Sequence, residues 1–208
     1  AERIIGAERP LLLIGAGANR RCASKALRKF VSDTGFPFFD TQMGKGVVDE
    51  DCELYLGTAA LSSDDYVHCA IEKADLIVNI GHDVVEKPPF FMEPDGQTVI
   101  HINYKAAEVD QVYFPQLEVI GDIAGSVERL GNRLDGKLQC DRSYYTVLHH
   151  EIASHISETS DDERFPMVPQ RVVADVRSVM ARDDIVALDN GIYKIWFARN
   201  YIANEPGT

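Results

Sequence analysis

The chain has 208 residues, 45% of them hydrophobic and 26% charged, and a formal net charge of -12. No apolar run approaches the roughly 20 residues that span a bilayer, and the first residues lack the zones of a signal peptide, so a cytoplasmic protein is expected. The acidic balance, with no basic stripe beyond Arg20-Arg21, argues against a nucleic-acid partner, and Cys22, Cys52, Cys69 and Cys140 form no CxxC pair and read as reduced thiols.

The start, "AERIIGAERP", resembles the inside of a helix, so the chain is expected to begin within a longer protein. "PLLLIG" is a short continuous apolar run that ends in glycine, the mark of a buried strand. Ala23, Ala26, Leu27, Phe30 and Val31 then fall at i, i+3, i+4, i+7 and i+8, an apolar stripe on one helix face. "FPFFDT" reads as the second strand. Asp64 to Ala74 reads as a helix leading into a third, "DLIVNIG". "QTVIHIN" and "LEVIGDI" are the fourth and fifth strands, and "AGSVERLGNRL" closes as a helix. Strands without polar alternation, separated by helices, predict an α/β fold with a doubly wound parallel sheet over residues 1–134.

Residues 135–164 read as a linker carrying one helix, "YYTVLHHEIASHISE". After a proline-marked polar stretch, Val172, Val173, Val176, Val179 and Met180 keep helical spacing. "DDIVALDNG" reads as a strand ending in a turn, and a helix follows from about Ile192. A strand and two helices cannot close a core alone, so residues 165–208 are expected to open a second, incomplete α/β segment.

Two turns carry the candidate chemistry. After the first strand, Gly15 and Gly17 fit two positions of the G-x-G-x-x-G dinucleotide fingerprint, but Arg20 stands at the third. Asp40, at the end of the second strand, is a candidate ribose ligand. A nucleotide site and a plain structural turn both remain open there. "DTQMGKGVVDED" places a Met43-Gly44-Lys45-Gly46 loop after the second strand, where glycines permit close approach of a ligand or of neighbouring backbone. His82 follows "DLIVNIG" at a carboxyl strand end, where ligands bind in such sheets. His149, His150 and His155 lack the spacing of a paired metal site. Downstream, Asp189-Asn190-Gly191 leads into a helix whose free N–H groups favour a phosphate or diphosphate.

In their order, these segments resemble the thiamine diphosphate-dependent enzymes of the acetolactate synthase group. "RPLLLIGAGANRRCASKALRKFVSDTGFPFFDTQMGKGVVDED", "EKADLIVNIGHDVVE" and "TVIHINYKAAEVDQVYFPQLEVIGDI" resemble the Rossmann-like central domain. "MVPQRVVADVRSVMARDDIVALDNGIYKIWFARNY" resembles the start of the domain that binds the cofactor diphosphate. The resemblance implies a carboligase that decarboxylates pyruvate and condenses it with a second pyruvate to 2-acetolactate. It also implies thiamine diphosphate and magnesium in the full-length enzyme, which works as a homodimer or homotetramer. Asp189, Gly191, Ile192 and Tyr193 would lie on the thiamine diphosphate side. Gly15, Gly17, Met43, Gly44, Lys45 and His82 would belong to nucleotide-binding or active-site-facing loops. The sequence has no G-D-G metal motif, and the family's activating glutamate belongs to an N-terminal domain that finds no match here. No catalytic residue or metal ligand is therefore assigned, and the chain alone is expected to be inactive. The segment from Gly81 to Lys87 lacks the arginine and paired aspartates of FAD-containing synthases and is closer to the G-Y-D-P-x-E of FAD-independent ones, so FAD is the less favoured cofactor. The alternatives are another thiamine diphosphate-dependent 2-oxoacid or acyl-CoA decarboxylase, and a structural or FAD-, ADP- or NAD-binding module.

Overall fold

The computed structural model describes residues 1–59, 66–83, 86, 96–108 and 115–208. Residues 64 and 65 of the expected third-strand helix, and residues 84, 85 and 87 of the segment after "DLIVNIG", lie outside them. A short helix α1 (Glu2–Ile5) leads into β1 (Pro10–Ile14), whose five residues are all buried. Then come α2 (Arg21–Thr34), β2 (Phe38–Thr41), β3 (Tyr55–Ala59), α3 (Tyr66–Lys73), β4 (Leu76–Ile80), β5 (Thr98–Asn103), β6 (Leu117–Ile120) and α4 (Ile123–Leu134). The six strands form one parallel sheet in the order β3-β2-β1-β4-β5-β6. Leu12 pairs with Phe38 on one side and Val78 on the other. The order reverses between β1 and β4, so the crevice at their carboxyl ends is the topological switch point.

Helices cover both faces, which is why the strand sequences do not alternate. On one face Leu12, Ile14, Phe38 and Val78 pack under Ala23, Leu27 and Phe30 of α2 and Val127 of α4. The α2 stripe predicted from spacing is buried throughout. On the other face Leu11, Leu13, Phe39 and Ile77 pack under Val67 and Ile71 of α3 and under Tyr145, Leu148 and Ile152 of α5 (Ser143–Ser157).

Three features differ from the sequence expectation. The sheet has a sixth strand, β3, which composition did not announce. The helix expected inside a linker, α5, is a core layer of the sheet domain. Among the C-terminal elements, α6 (Pro169–Val179) and α7 (Tyr193–Asn200) form, but residues 183–191 do not make the expected strand. That segment has strand-forming residues and no strand beside it to pair with among the described residues, and Ile185 is left 70% exposed. No helix among the described residues is long and apolar enough to cross a membrane.

If α5 is a core layer, Leu148→Ala will lower the stability of the whole chain by about 2–4 kcal/mol, read from denaturant unfolding. A change near zero would place α5 outside the cooperative unit.

Candidate functional site

The carboxyl ends of β1, β2 and β4 bring Gly15, Gly17, Met43, Gly44 and His82 to one edge of the sheet. What the two glycines accommodate is neighbouring backbone. A Cβ on Gly15 would stand 2.7 Å from His82 Cα and 2.8 Å from both the Gly81 carbonyl and Glu86 Oε2. A Cβ on Gly17 would stand 2.9 Å from the Gly81 carbonyl, which accepts the Gly17 N–H at 2.7 Å. The turns after β1 and β4 are thus locked against each other. His82 is buried beneath them, and its carbonyl accepts a 2.8 Å hydrogen bond from Asn103 Nδ2.

A glutamate that sequence reasoning did not single out completes this edge. The Ala16 N–H donates to both oxygens of Glu86, at 3.0 and 3.1 Å, and the Asp83 N–H donates to Oε2 at 3.0 Å. The Thr41 hydroxyl, at the end of β2, donates to Oε1. Burial raises the Glu86 pKa, opposed by these same hydrogen bonds.

The loop after β2 folds back on the sheet. Gly44 lies so close to the end of β1 that a Cβ there would overlap the Ile14 carbonyl. Asn19 Nδ2 holds the Met43 carbonyl at 3.1 Å, which leaves the Met43 side chain 60% exposed at the rim. Lys45 points the other way. Its ammonium donates to Glu50 Oε2 at 2.8 Å and to the Thr58 hydroxyl at 3.1 Å, in a pocket where the Glu50 side chain is fully buried. Glu50 also accepts the Gly46 N–H at 2.8 Å and the Ala203 N–H at 2.9 Å. Beside this pair the Tyr55 hydroxyl meets Asp40 Oδ1 at 3.3 Å and the Thr58 hydroxyl at 2.9 Å. Asp40 is 1% exposed, so it faces the interior rather than a ribose. Burial, and then the charge of Glu50, hold its carboxyl well above the usual range.

The downstream turn stands on another part of the molecule. Asp189 Oδ1 accepts the Asn190 N–H at 2.6 Å, and the Tyr193 ring folds over Gly191. No side chain caps α7, whose first N–H groups leave from an exposed turn at Ile192 and Tyr193. The helix itself packs against α5, α6 and β3. No cluster of three or more metal-ligating side chains occurs among the described residues.

The strand order and the switch-point turns define an α/β domain of nucleotide-binding topology whose carboxyl edge is closed by its own backbone. Residues 1–130 match the family model described as thiamine pyrophosphate enzyme, central domain. The chain belongs to this family of thiamine diphosphate-dependent enzymes. It is 28% identical to an acetolactate synthase of Bacillus subtilis (strain 168), over 99% of this chain and 37% of that protein. It is 26% identical to a catabolic acetolactate synthase of Raoultella terrigena, over 96% of this chain and 36% of that protein. A glyoxylate carboligase of Escherichia coli O157:H7 is 24% identical, over 93% of this chain and 34% of that protein. The chain thus spans little more than a third of the length of these relatives.

Asp40 binds a proton more tightly folded than unfolded, so its contribution to stability is present at low pH and is lost as pH rises from 3.8 through the raised folded value. Asp40→Asn should flatten that decline. Urea unfolding of both proteins across this range checks it, and parallel pH profiles would remove Asp40 as the source.

Proposed function

We propose that the protein carrying this chain is an acetolactate synthase-like carboligase, which decarboxylates pyruvate and joins it to a second pyruvate as 2-acetolactate. The observation that carries this reading is the extent of the similarity. It runs over 99% and 96% of the chain against two acetolactate synthases, past the sheet domain and through the "DNGIYKIWFARNY" segment. The domain division follows the same reading: residues 1–134 as central domain, 135–164 as connection and 165–208 as the opening of the cofactor domain. By packing, α5 belongs with the sheet.

Thiamine diphosphate, when bound, supplies the electron sink for decarboxylation. The residues of this chain suited to its diphosphate are those of the 189–193 turn. The N–H groups of Ile192 and Tyr193, at the start of a helix that no side chain caps, would donate to phosphate oxygens, and Asp189 holds the turn through Asn190. Magnesium ligands would come from elsewhere in the protein, as would the group that activates the cofactor. At the sheet edge, Met43, with its backbone held by Asn19 and its side chain outside, would help to exclude water from an adjoining active site. Glyoxylate as substrate is the second reading, favoured by the carboligase relative.

The test is a steady-state assay of the longest natural polypeptide that contains this chain, with thiamine diphosphate and magnesium, given pyruvate or glyoxylate. Carbon dioxide and acetolactate from pyruvate, with glyoxylate turned over at least about tenfold more slowly in kcat/KM, are expected; that ratio is about 1.4 kcal/mol of transition-state binding. Preference for glyoxylate would replace the first reading with the second. Residues 1–208 alone should consume neither.

A further inference from the structure

Three hydrogen-bond donors from three separate elements converge on one buried carboxylate at the switch point. The Ala16 N–H follows β1, the Thr41 hydroxyl ends β2, and the Asp83 N–H follows β4; all donate to Glu86. Backbone N–H groups gathered with a hydroxyl at the carboxyl end of the first strand are an anion cradle, and in this topology that crevice is where a ligand's phosphates bind. Gly15 adds the space: a side chain there would collide with Glu86 Oε2 at 2.8 Å. The glycine that would let a phosphate approach the backbone here lets a carboxylate approach it.

We propose that this turn is an anion site which the protein fills with its own Glu86, so that Glu86 excludes phosphate-bearing nucleotides from the central domain. A diphosphate and the Glu86 carboxylate cannot share the cradle. Both need the same two N–H groups, and two anions in one partly buried site repel. The donors would serve a pyrophosphate oxygen as they serve Glu86, so this one side chain holds the donors that a phosphate would need. This closure is independent of turnover on any 2-oxoacid, and its test measures binding alone, so failure of one reading leaves the other standing.

The experiment compares the protein with its Glu86→Ala variant in thermal unfolding, with inorganic pyrophosphate or ADP, against sodium chloride at equal ionic strength. The Ala16 amide resonance is followed in parallel by nitrogen-proton correlation NMR. At saturating pyrophosphate, the Glu86→Ala midpoint should rise by about 5 °C, and the unsubstituted protein should move by less than about 1 °C. The Ala16 amide should shift on titration only in the variant. Stabilisation of the unsubstituted protein with movement of its Ala16 amide would overturn the proposal, as would a folded variant that ignores both anions. If Glu86→Ala is unfolded in buffer, pyrophosphate should restore its helical circular dichroism where chloride does not; no restoration would equally overturn the assignment.

Discussion

Glu50 is the constraint on which the carboxyl edge of this molecule depends. Its side chain is fully buried, and an isolated carboxylate in such a place is among the most costly groups a fold can carry. Three partners offset that cost, two from the glycine loop and one from the C-terminal segment. Lys45 brings the glycine loop, the Gly46 N–H fixes that loop's far side, and the Ala203 N–H draws in the C-terminal segment. Lys45 reaches on to Thr58, so β3 joins the same network. Replacing Lys45 would leave the buried Glu50 charge without its counter-ion, and this ties the loop into the sheet edge.

The switch point follows a similar logic with backbone in place of ions. Parallel strands β1 and β4 end side by side, and the turns that follow them compete for the same space. Without side chains, Gly15 and Gly17 let the Gly81-His82 backbone approach to hydrogen-bonding distance. The polar groups buried at this junction need partners. Glu86 and Asn103 provide them, one taking N–H groups and the other donating to the His82 carbonyl. The same glycine pattern that marks a dinucleotide site is therefore satisfied here by internal contacts, and pattern alone does not separate the two uses.

Local periodicity made much of the fold legible. The Ala23 to Val31 stripe identified α2 and its buried face, and the continuous apolar runs of β1, β4 and β5 identified a sheet covered on both sides. β3 escaped because it carries Gly57 and Thr58 and sits at the sheet edge, so it lacks a continuous apolar run. Residues 183–191 erred in the opposite direction. Their Ile, Val and Leu favour a strand, but a strand exists only where another pairs with it, and that is a non-local fact. Asp40 shows the same limit for a site residue. Its position near the end of β2 fits a ribose ligand, and only the packing of Tyr55 and Thr58 reveals that it is turned inward. The roles of Glu50 and Glu86 were not legible for a related reason. Nothing in "VVDED" says that its glutamate will meet Ala203, 153 positions away.

The way the C-terminal segment docks explains why its sequence says so little about the contact. Arg28, on α2, donates to the Val47 carbonyl at 3.1 Å, the Gly46 carbonyl at 2.8 Å and the Asn204 carbonyl at 2.7 Å. Glu50 takes the Ala203 N–H. On the segment's side these contacts use main-chain atoms, which every residue type but proline offers alike. The specificity lies in the sheet domain, where one arginine and one glutamate are fixed at a spacing that suits an extended chain. Side chains add to it, Asn204 to Asp49 at 2.9 Å, Arg182 to Asp49 at 2.5 Å and Glu205 to Arg28 at 3.3 Å. Val173 and Tyr201 are buried and Ile202 packs against the sheet core, whereas Val179 and Ile192 stay outside, 80% and 78% exposed. Docking by backbone recognition fixes where the segment runs while leaving the face around Ile185 and Ile192 available to whatever packs there, so the position of the 189–193 turn does not depend on apolar burial of its own residues.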